Sequence, residues 1–150
     1  MKRAPALRRP RREAPTRTAL SEGKLEVRTF TYIPGKVLEV ITFEVKPSNA
    51  ISVQAVFEAL AHRRSATHAY VLLHVPLEQA DALSVVVEEI CNVARSHGIG
   101  VITAGDPGDF ATWEEIVDAR RVDPDPERLD NFISTQLSRT VRDHISRRLH

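Results

Sequence analysis

Glu44 and Lys46 are the residues of this chain best suited by type and spacing to do chemistry. They sit two apart at the end of the apolar run Val37–Lys46, where a strand meets solvent. Side chains alternate along a strand, so Glu44 and Lys46 share one face and Val45 takes the other. A carboxylate that can hold a metal ion and an ammonium that can meet an oxyanion then point into one space. That is the minimal equipment for metal-assisted cleavage of a phosphodiester. A polar stripe follows on the next helix, where Gln54, Glu58 and His62 fall at i, i+4 and i+8. The plainer reading of that stripe is a solvated helix face. His62, His68 and His74 share no metal-ligand spacing on one element and are read as partly exposed bystanders. His144 and His150, at the end of the chain, receive no role.

The elements that must position this pair can be read from pattern. Leu25–Tyr32 alternates and is rich in strand formers, Ile33–Lys36 is a turn, and Val37–Val45 is the next strand. Pro47 and Asn49 end it. Ser52 is a plausible N-cap for a helix over about 53–64, with Val53, Val56, Phe57, Leu60 and Ala61 as its buried stripe. Ala69–Val75 is a short apolar strand. A longer helix follows within 78–97, with Leu83, Val86, Val87, Ile90 and Ala94 inward and Gly98 as its stop. Gly100–Thr103 is a further strand. Trp113–Arg120 reads as a short helix. Asp125-Pro126 opens another, with Leu129, Phe132, Ile133 and Leu137 facing the core. The stretch Val141–His150 is basic and prone to fray. The order predicts an α/β fold on a mixed central sheet. A hairpin is followed by βαβαβ, with helices on both faces and helices at the C-terminus.

Composition narrows the classes. A chain of 150 residues, 42% hydrophobic, suits one domain with an ordinary core. No apolar run is long enough to span a membrane. With a single cysteine no internal disulfide can form, which fits a cytoplasmic protein, and Cys91 falls on the apolar side of its helix as a small core residue. Net charge is +1 but uneven: residues 1–24 hold eight Lys/Arg against two Asp/Glu, and residues 25–150 hold thirteen against eighteen. The composition of 1–24 cannot build a core and predicts a disordered basic arm ahead of a domain at 25–150. Such an arm can touch phosphates, or be a nonspecific tail. Gly98-Ile-Gly100 precedes a strand, so it is no dinucleotide fingerprint. Gly105–Gly108 lacks a following Gly-Lys-Ser/Thr, and no serine has nucleophile-elbow context.

An acid-x-lysine element at the end of an apolar strand, after a hairpin and before a helix that begins with Gln54, resembles the PD-(D/E)XK nuclease superfamily, the restriction-endonuclease-like fold. The resemblance covers about 25–103, with Glu44-Val45-Lys46 as the (D/E)XK element. It implies that Glu44 binds Mg²⁺ (or Mn²⁺), that the Val45 carbonyl helps, and that Lys46 is the catalytic lysine. It further implies that Gln54, and less so Glu58, reaches the site. The chemistry is consistent, since Mg²⁺ takes oxygen ligands, keeps waters and activates a nucleophile. The expected function is a DNA endonuclease of restriction or phage-defence type. The alternative is the same fold without its metal site, serving as a DNA-binding or protein-interaction module. Nucleases of this kind often pair as homodimers to cut both strands.

The family also expects an upstream Asp on the neighbouring strand, and here no Asp precedes Asp81. The Asp123-Pro124-Asp125-Pro126 run lies on the wrong side of the element. Among the upstream acids Glu39 has opposite parity to Glu44 on the same strand. Glu26 is the better second ligand: a Pro34-Gly35-Lys36 loop puts it opposite Glu44, whereas a two-residue loop puts Leu25 there. The remaining reading is that the chain is the trailing part of a longer protein whose missing portion holds the acid.

Overall fold

The computed structural model describes residues 23–32 and 35–149, of which 23–26 are described by their backbone. The predicted arm therefore lies outside the described residues, except that Gly23 and Lys24 open the first strand. Among the described residues five strands form one mixed sheet in sequence order. These are β1 (Gly23–Thr29), β2 (Lys36–Lys46), β3 (His68–His74), β4 (Gly100–Ala104) and β5 (Trp113–Val117). β2, β3 and β4 run parallel, and β1 and β5 pair antiparallel at the two edges. Helices α1 (Gln54–His62) and α2 (Ala80–His97) make the two crossovers, and α3 (Pro126–Gln136) and α4 (Arg139–Leu149) close the chain. The predicted α/β class, hairpin, βαβαβ order and C-terminal helices are all present. Among the described residues no helix is long and apolar enough to cross a membrane.

The core lies between the sheet and α1 and α2. Val71 and Leu73 of β3, Val101 of β4, Ala55, Val56 and Ala59 of α1, and Ile90, Cys91 and Ala94 of α2 bury one continuous cluster. The α1 stripe differs from the predicted one. Val56 is central, but Phe57 is 47% exposed, and the small residues Ala55 and Ala59 meet the sheet instead. Small side chains let the helix approach closely, which turns its Glu58 and His62 edge toward β2. Ser52 is not the N-cap that the sequence suggests: Val53 takes that position with no side-chain cap, and the Ser52 carbonyl accepts from the Ala55 amide at 3.1 Å in the turn before the helix.

On the opposite face of the sheet, Leu72, Ile102 and Ala104 are buried under Phe43, Tyr70 and Trp113. All of these are strand residues, so aromatic side chains cover that cluster where the sequence predicts a helix. α3 and α4 pack through Phe132, Ile133, Leu137, Val141 and Ile145 against Leu38 of β2. The predicted fraying of the last segment gives way to this packing. Asp125 caps α3 as predicted, accepting from the Arg128 amide at 3.0 Å. Gly98 ends α2 in the left-handed region, φ 69°.

Two expectations fail. Trp113–Val117 is a strand and not the start of a helix. Trp113, Ile116 and Val117 satisfy helical spacing, but the antiparallel partner β4 and the packing of Trp113 on Phe43 (ring centroids 5.5 Å apart) decide the matter. The hairpin register also differs. Thr29 pairs with Lys36, so the connection is 30–35 and not the short loop at 34–36. The strand-forming residues Phe30, Thr31 and Tyr32 stand outside the pairing.

Candidate functional site

β2, β3 and β4 are parallel and end together, and Glu44 and Lys46 close β2 at that carboxyl-terminal edge. Ligands of open α/β sheets bind outside such edges. Val71 pairs with Glu44 and is buried against α1, so the even-numbered face of β2 is the α1 face. Glu44 and Lys46 therefore point between the strand and the helix. Their side chains are 19% and 18% exposed.

α1 brings two further groups to them. Lys46 Nζ lies 3.0 Å from Glu44 Oε1 and also donates to Glu58 Oε2. His62 Nε2 is 3.1 Å from Glu44 Oε2. One ammonium thus bridges two carboxylates from different elements, and an imidazole takes the outer oxygen of one. Hydrogen bonding to Glu58, and next to Glu44, pushes the Lys46 ammonium up from its ordinary value. The same bond to Lys46, then the contact with Glu44, holds the Glu58 carboxyl below the usual carboxylate range. Thr42 precedes Glu44 on this face, 9% exposed, and its Oγ1 has no hydrogen-bond partner among the described residues.

The Val45 carbonyl can be placed by strand alternation. Val40 O accepts from the Thr67 amide on the β3 side. Carbonyls alternate along a strand, so that of Val45 is directed away from β3. There the described pairing with β1 reaches only Thr42, opposite Gly23. The Val45 side chain is on the other face, 40% exposed.

The hairpin register does not set Glu26 opposite Glu44. Its partner across the hairpin is Glu39, and Glu39 has opposite parity to Glu44 on β2. The register is offset by five residues from the one that would set Glu26 against Glu44. Because five is odd, the offset changes the face as well as the distance. Glu39 itself is buried on the far face, with Arg28, Arg121 and His68 nitrogens 3.6–3.7 Å from its oxygens. Gln54 begins α1 exposed and makes no hydrogen bond to Glu44 or Lys46 among the described residues. Glu58 and His62, the less favoured members of that stripe, make the contacts. Their signal in the sequence was the four-residue step from Gln54, which fixes a common helix face without saying which turn meets β2. His74 contacts the Gly105 carbonyl, 3.1 Å away, and lies off the site.

Among the described residues no group of three or more His, Cys, Asp or Glu is arranged to hold a metal ion. Mg²⁺, however, commonly takes only one or two protein carboxylates and completes its shell with waters and phosphate. Glu44 and Glu58 supply two oxygens that already converge on one cationic centre, Lys46 Nζ. The arrangement fits a shared two-carboxylate site and not an all-protein cage.

Comparison with known protein families, with curated proteins and with solved structures finds no match for this chain.

Proposed function

We propose that this chain is a nuclease-like domain acting on the phosphodiester bonds of DNA, of the restriction or phage-defence kind, with Mg²⁺ as its cofactor. The observation that carries the reading is the meeting of Glu44, Lys46 and Glu58 at the carboxyl-terminal end of β2. Glu44 and Glu58 would hold the ion, with help from the Val45 carbonyl. When bound, the ion polarises the phosphate and lowers the pKa of a water. Lys46 then serves as the cation facing the scissile phosphate, and His62 orients Glu44 through its outer oxygen. The body at 25–150 is acidic on balance, so the basic segment 1–24 is the natural source of phosphate contacts.

Plasmid and oligonucleotide cleavage in Mg²⁺ or Mn²⁺ tests this. Wild type should cleave, and Glu44→Ala and Lys46→Ala should each lose about a hundredfold or more. Equal rates in all three proteins would overturn the assignment.

A second reading, the same fold as a non-catalytic DNA-binding or protein-interaction module, is favoured by the pairing of Glu26 with Glu39. It predicts salt-sensitive DNA binding with no Glu44-dependent cleavage.

A further inference from the structure

We propose that Lys46 is the resident cation of this site: its ammonium occupies the place between Glu44 and Glu58 that a divalent cation takes, so that cation binding and release of Lys46 are one exchange. The inference rests on the nuclease-like reading and adds an order of events to it.

Three features support the exchange. The carboxylates come from β2 and α1, and what they share is Nζ of Lys46. Two carboxylates brought together repel each other unless a cation lies between them, so the lysine holds the pair in a form ready for a cation. Charge gives the second argument. One ammonium leaves two carboxylates with an excess negative charge, whereas a dication balances them. A dication and an ammonium cannot share the position, because like charges a few ångströms apart repel by several kcal/mol at about the effective dielectric of a protein surface.

The third feature is an unsatisfied acceptor. Thr42 Oγ1 is buried on the same face, one position before Glu44 on that face, with no hydrogen-bond partner among the described residues. A hydrated cation brings water that can satisfy such a group. Lys46 has somewhere to go. It is the last residue of β2, and its long stem can swing the ammonium away from the two carboxylates. There it would meet the phosphate of a bound strand.

The test is Mn²⁺ binding to the full chain, followed by calorimetry and by the paramagnetic signal of free Mn²⁺. Lys46→Met should bind Mn²⁺ about tenfold tighter than wild type or better. Lys46→Arg keeps a cation in place and should not gain. Glu58→Gln should abolish the gain in the Lys46→Met background. Equal or weaker binding by Lys46→Met, a gain that survives Glu58→Gln, a gain shared by Lys46→Arg, or no Mn²⁺ binding by any of the proteins would each overturn the exchange. Cleavage is scored separately. Glu44-dependent cleavage with unchanged Mn²⁺ affinity in Lys46→Met sinks the exchange alone. The predicted Mn²⁺ pattern without cleavage by wild type sinks the nuclease reading alone.

Discussion

Lys46 Nζ sits 3.0 Å from Glu44 Oε1 on one face of β2, and the same ammonium is bonded to Glu58 of α1. The strand end and the helix that follows it are thus tied by one charge. Because these bonds raise the pKa of Lys46 above its ordinary 10.5, their stabilisation is complete below that value and is lost as pH climbs through the raised one. The gap in urea midpoint between wild type and Lys46→Met should therefore stay constant from about pH 7 to about 10 and shrink above. A gap that widens at high pH would contradict the arrangement.

The acid limb runs the other way. Glu58 is lowered from 4.5, so its contribution is present above that value and fades as pH falls through the lowered one. Glu58→Gln should lose stability relative to wild type at neutral pH, and the two proteins should converge as pH falls through the lowered value of Glu58. Thermal melting across this range checks it.

Gly100 has no side chain because Tyr70 fills the space. A methyl there would overlap Tyr70 Cδ1 and Cε1 and stand 3.0 Å from the Ala119 amide nitrogen. Tyr70 cannot easily withdraw, since its hydroxyl donates to Glu115 Oε1 at 2.6 Å. Gly100→Ala should cost about 2 kcal/mol. In a double-mutant cycle with Tyr70→Leu most of that cost should disappear.

Much of this architecture could be read from the chain, and the omissions have physical causes. β2 was legible because its apolar run and terminal Glu-Val-Lys express a strand covered on the helix side. Gly98 and Asp125 were legible because helix ends have local chemistry. The register of the hairpin was not. Phe30 and Tyr32 are as strand-like as Val27, and only pairing shows where β1 stops. Trp113–Val117 was lost for a related reason, since a five-residue edge strand is specified by its neighbour. The Gln54, Glu58, His62 stripe was visible as a face. Which of its members touches β2 depends on how Ala55 and Ala59 rotate α1 against the sheet, and that is a property of packing.

Glu39 tests the far face. Its carboxylate is buried, and two arginines from different segments share it. Arg28→Ala or Arg121→Ala alone leaves one guanidinium in place and should cost under about 1 kcal/mol. The double substitution leaves the buried carboxylate with the His68 nitrogen 3.7 Å away as its remaining described partner and should cost more than the two singles combined, about 2 kcal/mol or more. Additive losses by urea denaturation would show that the arginines do not share one partner.

Ile145 tests the end of the chain. It is buried on α4 with Leu137, Val141 and Leu38. Ile145→Ala should lower global stability by about 2–3 kcal/mol. An unchanged urea midpoint would mean that α4 contributes nothing to the fold.

The short fifth strand also decides how the sheet meets its surroundings. β5 is an outer strand, and an outer strand offers unpaired backbone groups to any other extended chain. Glu114 and Glu115 are both exposed in the middle of its five residues. A second copy approaching antiparallel would set carboxylates against carboxylates before its ladder could form. Two adjacent glutamates thus place negative charge where another extended chain would have to pair.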